Sequence, residues 1–271
     1  MNRTSQMGIR RRAFVGCGAL LLLPTASLAL PVAAQGLPLS GAINRSGKMR
    51  ALSQRLSKAY VQATLNVLPD RARDIQAASR QLLTTSLSDL GAGSLAADTR
   101  RLLQALDRDC QGLLEIVSTP RRDTLEVARS ADVVLEAADR LTKAFETQSQ
   151  QGNAKIVNVA GRQRMLSQRA ARAYFLVAAG HDTPAVRTQL ANARNEFNQG
   201  LATLQAASIS TPAIRNELEL ARSQWLFYES ALGKTASADA LQTVATTSER
   251  VFEVMDNLTS LYDAALRDLL G

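Results

Sequence analysis

Asn44 to Tyr60 reads NRSGKMRALSQRLSKAY, and Asn158 to Tyr174 reads NVAGRQRMLSQRAARAY. Nine of these seventeen aligned positions are identical at a constant offset of 114 residues. The identities are Asn44/Asn158, Gly47/Gly161, Arg50/Arg164, Leu52/Leu166, Ser53/Ser167, Gln54/Gln168, Arg55/Arg169, Ala59/Ala173 and Tyr60/Tyr174. Lys48/Arg162 and Lys58/Arg172 keep their charge. A second, weaker echo pairs Leu135–Thr142 with Phe252–Thr259, which aligns Asp139 with Asp256. Duplication of one module is the economical account of a repeat at this spacing.

The stretches around the repeated string define the fold class. Gly and Pro are sparse, with 15 and 7 in 271 residues, so long helices are favoured over sheet. The breakers Pro69-Asp70, Gly91-Ala92-Gly93 and Thr119-Pro120 divide the first copy into helices near 42–67, 70–89, 94–117 and 121–148. Asp182-Thr183-Pro184, Ser210-Thr211-Pro212 and Gly233 divide the second near 154–179, 183–206, 211–232 and 237–268. Asp70, Thr183 and Thr211 are the expected helix-start residues. Leu102, Leu106, Leu113, Leu114 and Val117 form one apolar stripe, and Val251, Val254, Leu258, Leu261 and Leu269 another. The expected architecture is all-α: two tandem up-down-up-down four-helix bundles related by a pseudo-twofold. In that topology the fourth helix ends where the first began, so the two first helices can run parallel, side by side.

The N-terminus reads as an address. Arg10-Arg11-Arg12 precedes the apolar run Leu20-Leu21-Leu22-Leu23, and Val32-Ala33-Ala34 forms a small-residue exit before Gln35. Arg11-Arg12-x-Phe14-Val15 resembles a twin-arginine export signal. The expected domains are therefore a signal peptide at 1–34, one module at 35–150 and the second at 151–271, in a protein delivered to the periplasm. An apolar run shorter than about 20 residues argues against a retained span, and no later segment approaches that length without charge, so no transmembrane span is expected after cleavage. Residues 1–34 carry four arginines and no acid, so the formal charge of +8 falls to +4 on cleavage. Export and a mild surplus exclude nucleic acid as the expected partner and suit a small anion. Cys110 is then alone, so no intrachain disulfide is available; it is read as a buried small hydrophobe.

On a helical wheel Met49, Leu52, Leu56, Ala59, Ala63 and Val67 share one side, which would fill the module's own core. Gly47, Arg50, Gln54, Ser57 and Val61 share the opposite side; in the second copy it carries Gly161, Arg164, Gln168, Ala171 and Phe175. A helical glycine costs roughly 1 kcal/mol against Ala, so its recurrence implies a close approach to the backbone. Arginine is a flat, permanently charged fork suited to planar oxyanions, and glutamine adds hydrogen bonding without charge. Two facing arginines would repel unless an anion lay between them, so replacing either by Gln is expected to stabilise the ligand-free protein. The expected ligand-binding residues are Gly47, Arg50, Gln54, Gly161, Arg164 and Gln168, against the plainer alternative of tight helix packing. Arg55/Arg169 and Lys48/Arg162 point to the flank, where salt bridges to neighbouring helices are expected.

The string Asn-x-x-Gly-[Arg/Lys]-x-Arg-x-Leu-Ser-Gln-Arg-x-x-[Lys/Arg]-x-Tyr, present twice, resembles the type IV pili methyl-accepting chemotaxis transducer N-terminal domain, the PilJ-type module. That module is similar to the periplasmic domain of nitrate/nitrite sensor kinases, where two subunits pair their first helices around one nitrate. By position the resemblance carries the anion to Gly47 with Arg50 and Gly161 with Arg164, and it makes the tandem an internal pseudo-dimer. No HAMP segment, kinase or methyl-accepting region follows, so the chain is expected to bind a signal and pass it to a membrane sensor or transporter.

Enzymatic signals are lacking. His181 is the single histidine and is placed in a loop. There is no metal-spaced Cys/His/Asp cluster, nucleophile elbow or phosphate-binding Gly loop. No catalytic residue, metal or cofactor is expected; Trp225, Phe227 and Tyr228 are read as core or inter-module packing. The expected function is a soluble periplasmic sensor for a small oxyanion, nitrate or nitrite first, feeding a regulator or transporter. The alternative is a ligand-free helical interaction module that docks on a membrane sensor or a type IV pilus chemosensory receptor.

Overall fold

Among the described residues eight helices follow in order: α1 (Leu39–Thr64), α2 (Pro69–Gly91), α3 (Ala97–Ser118), α4 (Thr124–Ser149), α5 (Ala154–Ala178), α6 (Pro184–Gln205), α7 (Pro212–Leu232) and α8 (Ala238–Leu270). The computed structural model describes residues 37–119, 123–149 and 154–270, and among these there is no strand. The export signal expected at 1–34 lies outside the described residues. Thr183 and Thr211 are the N-caps of α6 and α7, accepting the backbone N–H of Val186 and Ile214, with Pro184 and Pro212 at the first helical position. Asp70 is not a cap. The cap of α2 is Leu68 with φ 45, Pro69 opens the helix, and Asp70 stands in the first turn, where its charge suits the helix N-terminus.

The two copies turn this corner differently. In the first, Asn66 and Leu68 both take positive φ, and Gln62 Nε2 donates to Val67 O; in the second, Gly180 supplies the left-handed position. The one-residue slip between Pro69 and Pro184 is absorbed there.

Within each copy the first helix packs against the second and fourth, and the third against the fourth. Arg50 meets Asp139 while Gln54 meets Ala131, so α1 and α4 run antiparallel; Arg164 with Asp256 and Gln168 with Ser248 show the same for α5 and α8. The two bundles then share a seam, because α1 and α5 pack on each other along their length. Near the helix starts Arg50 reaches Asn158 and Arg164 reaches Asn44, and further along Gln54 and Arg172 meet at Asp132 while Lys58 and Gln168 meet at Ser248, so the two helices are parallel, as a pseudo-twofold requires.

This seam changes the reading of the repeated helix. Met49, Leu52, Leu56, Ala59 and Val67 are buried as expected, and Ala63 is half-buried. Gly47, Arg50, Gln54, Ser57 and Val61, on the opposite side, are buried too. A helix enclosed by α2, α4, α5 and α8 has no solvated face, which is why its polar residues lie in the interior. Trp225 stacks on Phe197 with centroids 3.7 Å apart, and Tyr228 is buried, its hydroxyl donating to Ser167 O, so both belong to the core of the second copy. Phe227, expected in packing, is 70 % exposed instead; two positions beyond Trp225 on the same helix, it faces outward. Cys110 is fully buried and its thiol is pushed up to about 12 by that burial, fitting the small-hydrophobe reading.

Candidate functional site

The repeated Asn, Gly and Arg come together where α1 and α5 cross. Arg50 and Arg164 are 1 % and 0 % exposed, so burial draws both guanidinium pKa values down from the usual arginine range. Each is nevertheless neutralised by a carboxylate of its own repeat. Arg50 Nη1 donates to Asp139 Oδ1 at 2.7 Å, and Arg164 Nη1 donates to Asp256 Oδ1 at 2.5 Å. The other arm of each crosses the seam: Arg50 Nη2 donates to Asn158 Oδ1 at 2.6 Å, and Arg164 Nη2 to Asn44 Oδ1 at 3.0 Å. Sequence-equivalent residues make equivalent bonds in opposite directions.

The glycines serve these guanidiniums. A Cβ on Gly47 would lie 3.1 Å from Arg50 Nη2 and 3.9 Å from Arg164 Nη2, so both charged groups converge on one glycine. A Cβ on Gly161 would lie 3.0 Å from Arg164 Nη2. The close approach predicted from the recurring glycine is therefore made by the arginine one turn along, folded back over its own helix. Burial would raise the carboxyls of Asp139 and Asp256, but the neighbouring cations outweigh it and hold both below the ordinary aspartate range. Lys143 and Arg50 act on Asp139, and Arg164 and Lys48 on Asp256.

The like-charge expectation is corrected by this geometry. The arginines approach one another, but the anions that compensate them are the protein's own carboxylates, so replacing either by Gln would remove a buried ion pair rather than relieve repulsion. The echo of Asp139 with Asp256 in the sequence was the signal that could have identified these partners.

Gln54 and Gln168 do not join the arginines. Gln54 Nε2 donates to Ala131 O in α4, and Gln168 Nε2 to Ser248 O in α8. Four residues along a helix is one turn, about 6 Å, which carries them past the crossing point. Their Oε1 atoms are buried without hydrogen-bond partners, as are Nε of Arg50 and Nε of Arg164. Each arginine therefore keeps an edge, Nε with Nη2, only half satisfied.

Beyond the crossing, a second reciprocal pair spans the seam. Lys58, fully buried, donates to Glu249 Oε1 at 2.6 Å, and Arg172, fully buried, reaches Asp132 at 3.0 Å. Lys58 and Arg172 are equivalent positions, and each takes its acid from the other repeat. Burial draws both cations down in pKa. Burial would also raise Glu249, but Lys58 and Arg55 outweigh it and hold that carboxyl at about 2. Three of the four flank residues form the expected salt bridges, Arg55 to Glu249, Lys48 to Asp256 and Arg162 to Glu196, whereas Arg169 makes none among the described residues and its Nε is buried without a partner. His181 Nε2 lies 2.8 Å from Thr124 Oγ1, so the loop of the second copy touches α4 of the first.

A parallel pair of repeated helices with matched, mutually crossing polar contacts defines one helical module made twice in one chain. The sequence profile of the type IV pili methyl-accepting chemotaxis transducer N-terminal domain, PilJ, matches residues 32–143 and again 145–251, and the chain belongs to that family. No curated protein and no solved structure matches it. No helix among the described residues is long and apolar enough to cross a membrane.

Proposed function

We propose that the chain is an exported, non-catalytic sensor that takes a small planar oxyanion, nitrate or nitrite first, between Arg50 and Arg164, and passes the signal to a membrane sensor or transporter. The observation that carries this reading is the convergence of two buried guanidiniums on Gly47, each with an Nε that has no partner. Their Nη2 donors now serve the neutral side-chain oxygens of Asn158 and Asn44. A planar anion taking those donors would exchange neutral acceptors for charged ones, and charge-assisted bonds are roughly twice as strong. Asp139 and Asp256 would stay on the Nη1 arms, so the anion need not compete with a carboxylate. Membership of a chemotaxis-transducer family supports a sensory role.

The test is thermal unfolding with and without nitrate on wild type, Arg50→Gln and Arg164→Gln. Nitrate should raise the Tm of wild type, and either variant should bind about tenfold more weakly or worse. Equal nitrate shifts in all three would reject the site.

A second reading has its own observation. Both arginines already hold an acid, so they could serve only to lock the seam of an interaction module that docks on a pilus-linked receptor. Under it nitrate moves no melting temperature while both variants lose stability. Periplasmic delivery is proposed from Arg10–Ala34; substituting Lys for both Arg11 and Arg12 should retain precursor in the cytoplasm, and unimpaired export would remove the twin-arginine route.

A further inference from the structure

The pseudo-symmetry of the seam is broken beside Asn44, and a cavity stands where it breaks. Asn158 Nδ2 donates to Glu146 Oε2 at 2.9 Å, so in that half a carboxylate from α4 closes over the asparagine. The repeat offset of 117 that aligns Asp139 with Asp256 aligns Glu146 with Asp263 on α8. Asp263 is one methylene shorter. Its Oδ2 accepts from Arg267 at 3.1 Å, and its Oδ1 is buried with no hydrogen-bond partner. Its side chain is only 7 % exposed. Asp263 and Asn44 line a cavity of about 270 Å³ together with Lys48, Ser260 and Arg267.

We propose that this cavity is a binding site for a small carboxylate bearing an N–H or O–H donor beside the carboxyl group, an α-amino or α-hydroxy acid. It is separate from the oxyanion position between Arg50 and Arg164, although Arg164 forms part of its wall. The recognition chemistry is two-ended. An unpartnered buried carboxylate oxygen costs free energy that a ligand donor recovers, and a bare anion offers no such donor. At the rim Lys48 spends its ammonium on Asp256 alone among the hydrogen bonds described, and Arg267 is half-exposed with one arm on Asp263, so both have N–H groups for a carboxylate.

Calorimetry on the purified protein with serine, lactate, acetate and nitrate tests this. Serine or lactate should bind, and acetate, which has the carboxylate without the donor, should bind at least about tenfold more weakly. Asp263→Ala should abolish the preference over acetate by removing the acceptor. Asp263→Glu should restore the Glu146-type closure over Asn44 and exclude the ligand with charge unchanged, while far-UV circular dichroism confirms that both variants are folded. Failure of serine and lactate alike to bind at millimolar concentration overturns the proposal. So does acetate binding as tightly as lactate, or Asp263→Ala binding as wild type does. The nitrate response is read separately: it should survive in Asp263→Ala and vanish in Arg50→Gln, so either site can fail without the other.

Discussion

Lys58 and Arg172 occupy the same position in the two repeats, and their partners Glu249 and Asp132 correspond as well, but the two pairs divide their length differently. The first joins the shorter cation to the longer acid, and the second the longer cation to the shorter acid. The gap between the bundles is thus spanned twice by side chains of nearly the same total reach. Their surroundings differ more. Glu249 is 3 % exposed and shared between Lys58 and Arg55, whereas Asp132 is 27 % exposed, and Arg172 also donates to Ala128 O and reaches Gln189. Duplication preserved the geometry of the seam while each half found its own way to satisfy its charges.

The largest expected effect sets the two acids against each other. Glu249→Gln leaves Lys58 buried without a counter-charge and should cost about 3–5 kcal/mol. Asp132→Asn should cost less, roughly 2 kcal/mol, because Arg172 keeps its carbonyl and amide partners. Urea unfolding midpoints of the two variants measure the difference; the reverse order would break the comparison.

Acid should act mainly through the first pair. The folded Glu249 carboxyl is held at about 2, below the ordinary value of 4.5, so its contribution is complete above pH 4.5 and is lost as pH falls toward 2. The shift corresponds to on the order of 3 kcal/mol. Urea midpoints between pH 6 and pH 2.5 should therefore fall less in Glu249→Gln than in wild type.

Gly200 sharpens the contrast between copies at a different layer. Where the first copy has Met49, the second has Gln163, whose amide lies over Gly200; a Cβ there would fall 1.7 Å from Gln163 Nε2. Gly200→Ala should cost about 1–3 kcal/mol by overpacking, seen as a lower Tm.

A double-mutant cycle tests whether the pairs are interchangeable. Lys58→Arg or Glu249→Asp alone should destabilise, while the two together recreate the pairing of Arg172 with Asp132. The coupling energy should be favourable by about 1–2 kcal/mol in denaturant unfolding. Strict additivity would show that reach is not what matches them.

The smallest effect is a gain. Nothing lies within 4 Å of a Cβ on Gly112 in α3, so Gly112→Ala should stabilise by up to about 1 kcal/mol, raising Tm by a few degrees.

Much of the architecture was legible in advance, because local chemistry states it directly. Pro184 after Thr183 and Pro212 after Thr211 mark helix starts, since proline needs no N–H donor there and threonine supplies a cap. The internal offset of 114 exposes the duplication without any structural knowledge. The crossing of Arg50 and Arg164 near Gly47 also followed from the string, once two parallel first helices were inferred from an even number of antiparallel turns.

What the string left open was the destination of each polar side chain. A helical wheel separates two faces, but it cannot say that α5 covers the second of them and turns Gly47, Arg50, Gln54 and Ser57 inward. Nor can it show that Asp139 and Asp256, 89 and 92 residues away, neutralise the arginines. Periodicity and capping are governed by neighbours within a turn or two, so a linear sequence reports them. Charge compensation inside a core is governed by whichever helices pack there, and burial makes the pairing of those distant residues energetically decisive.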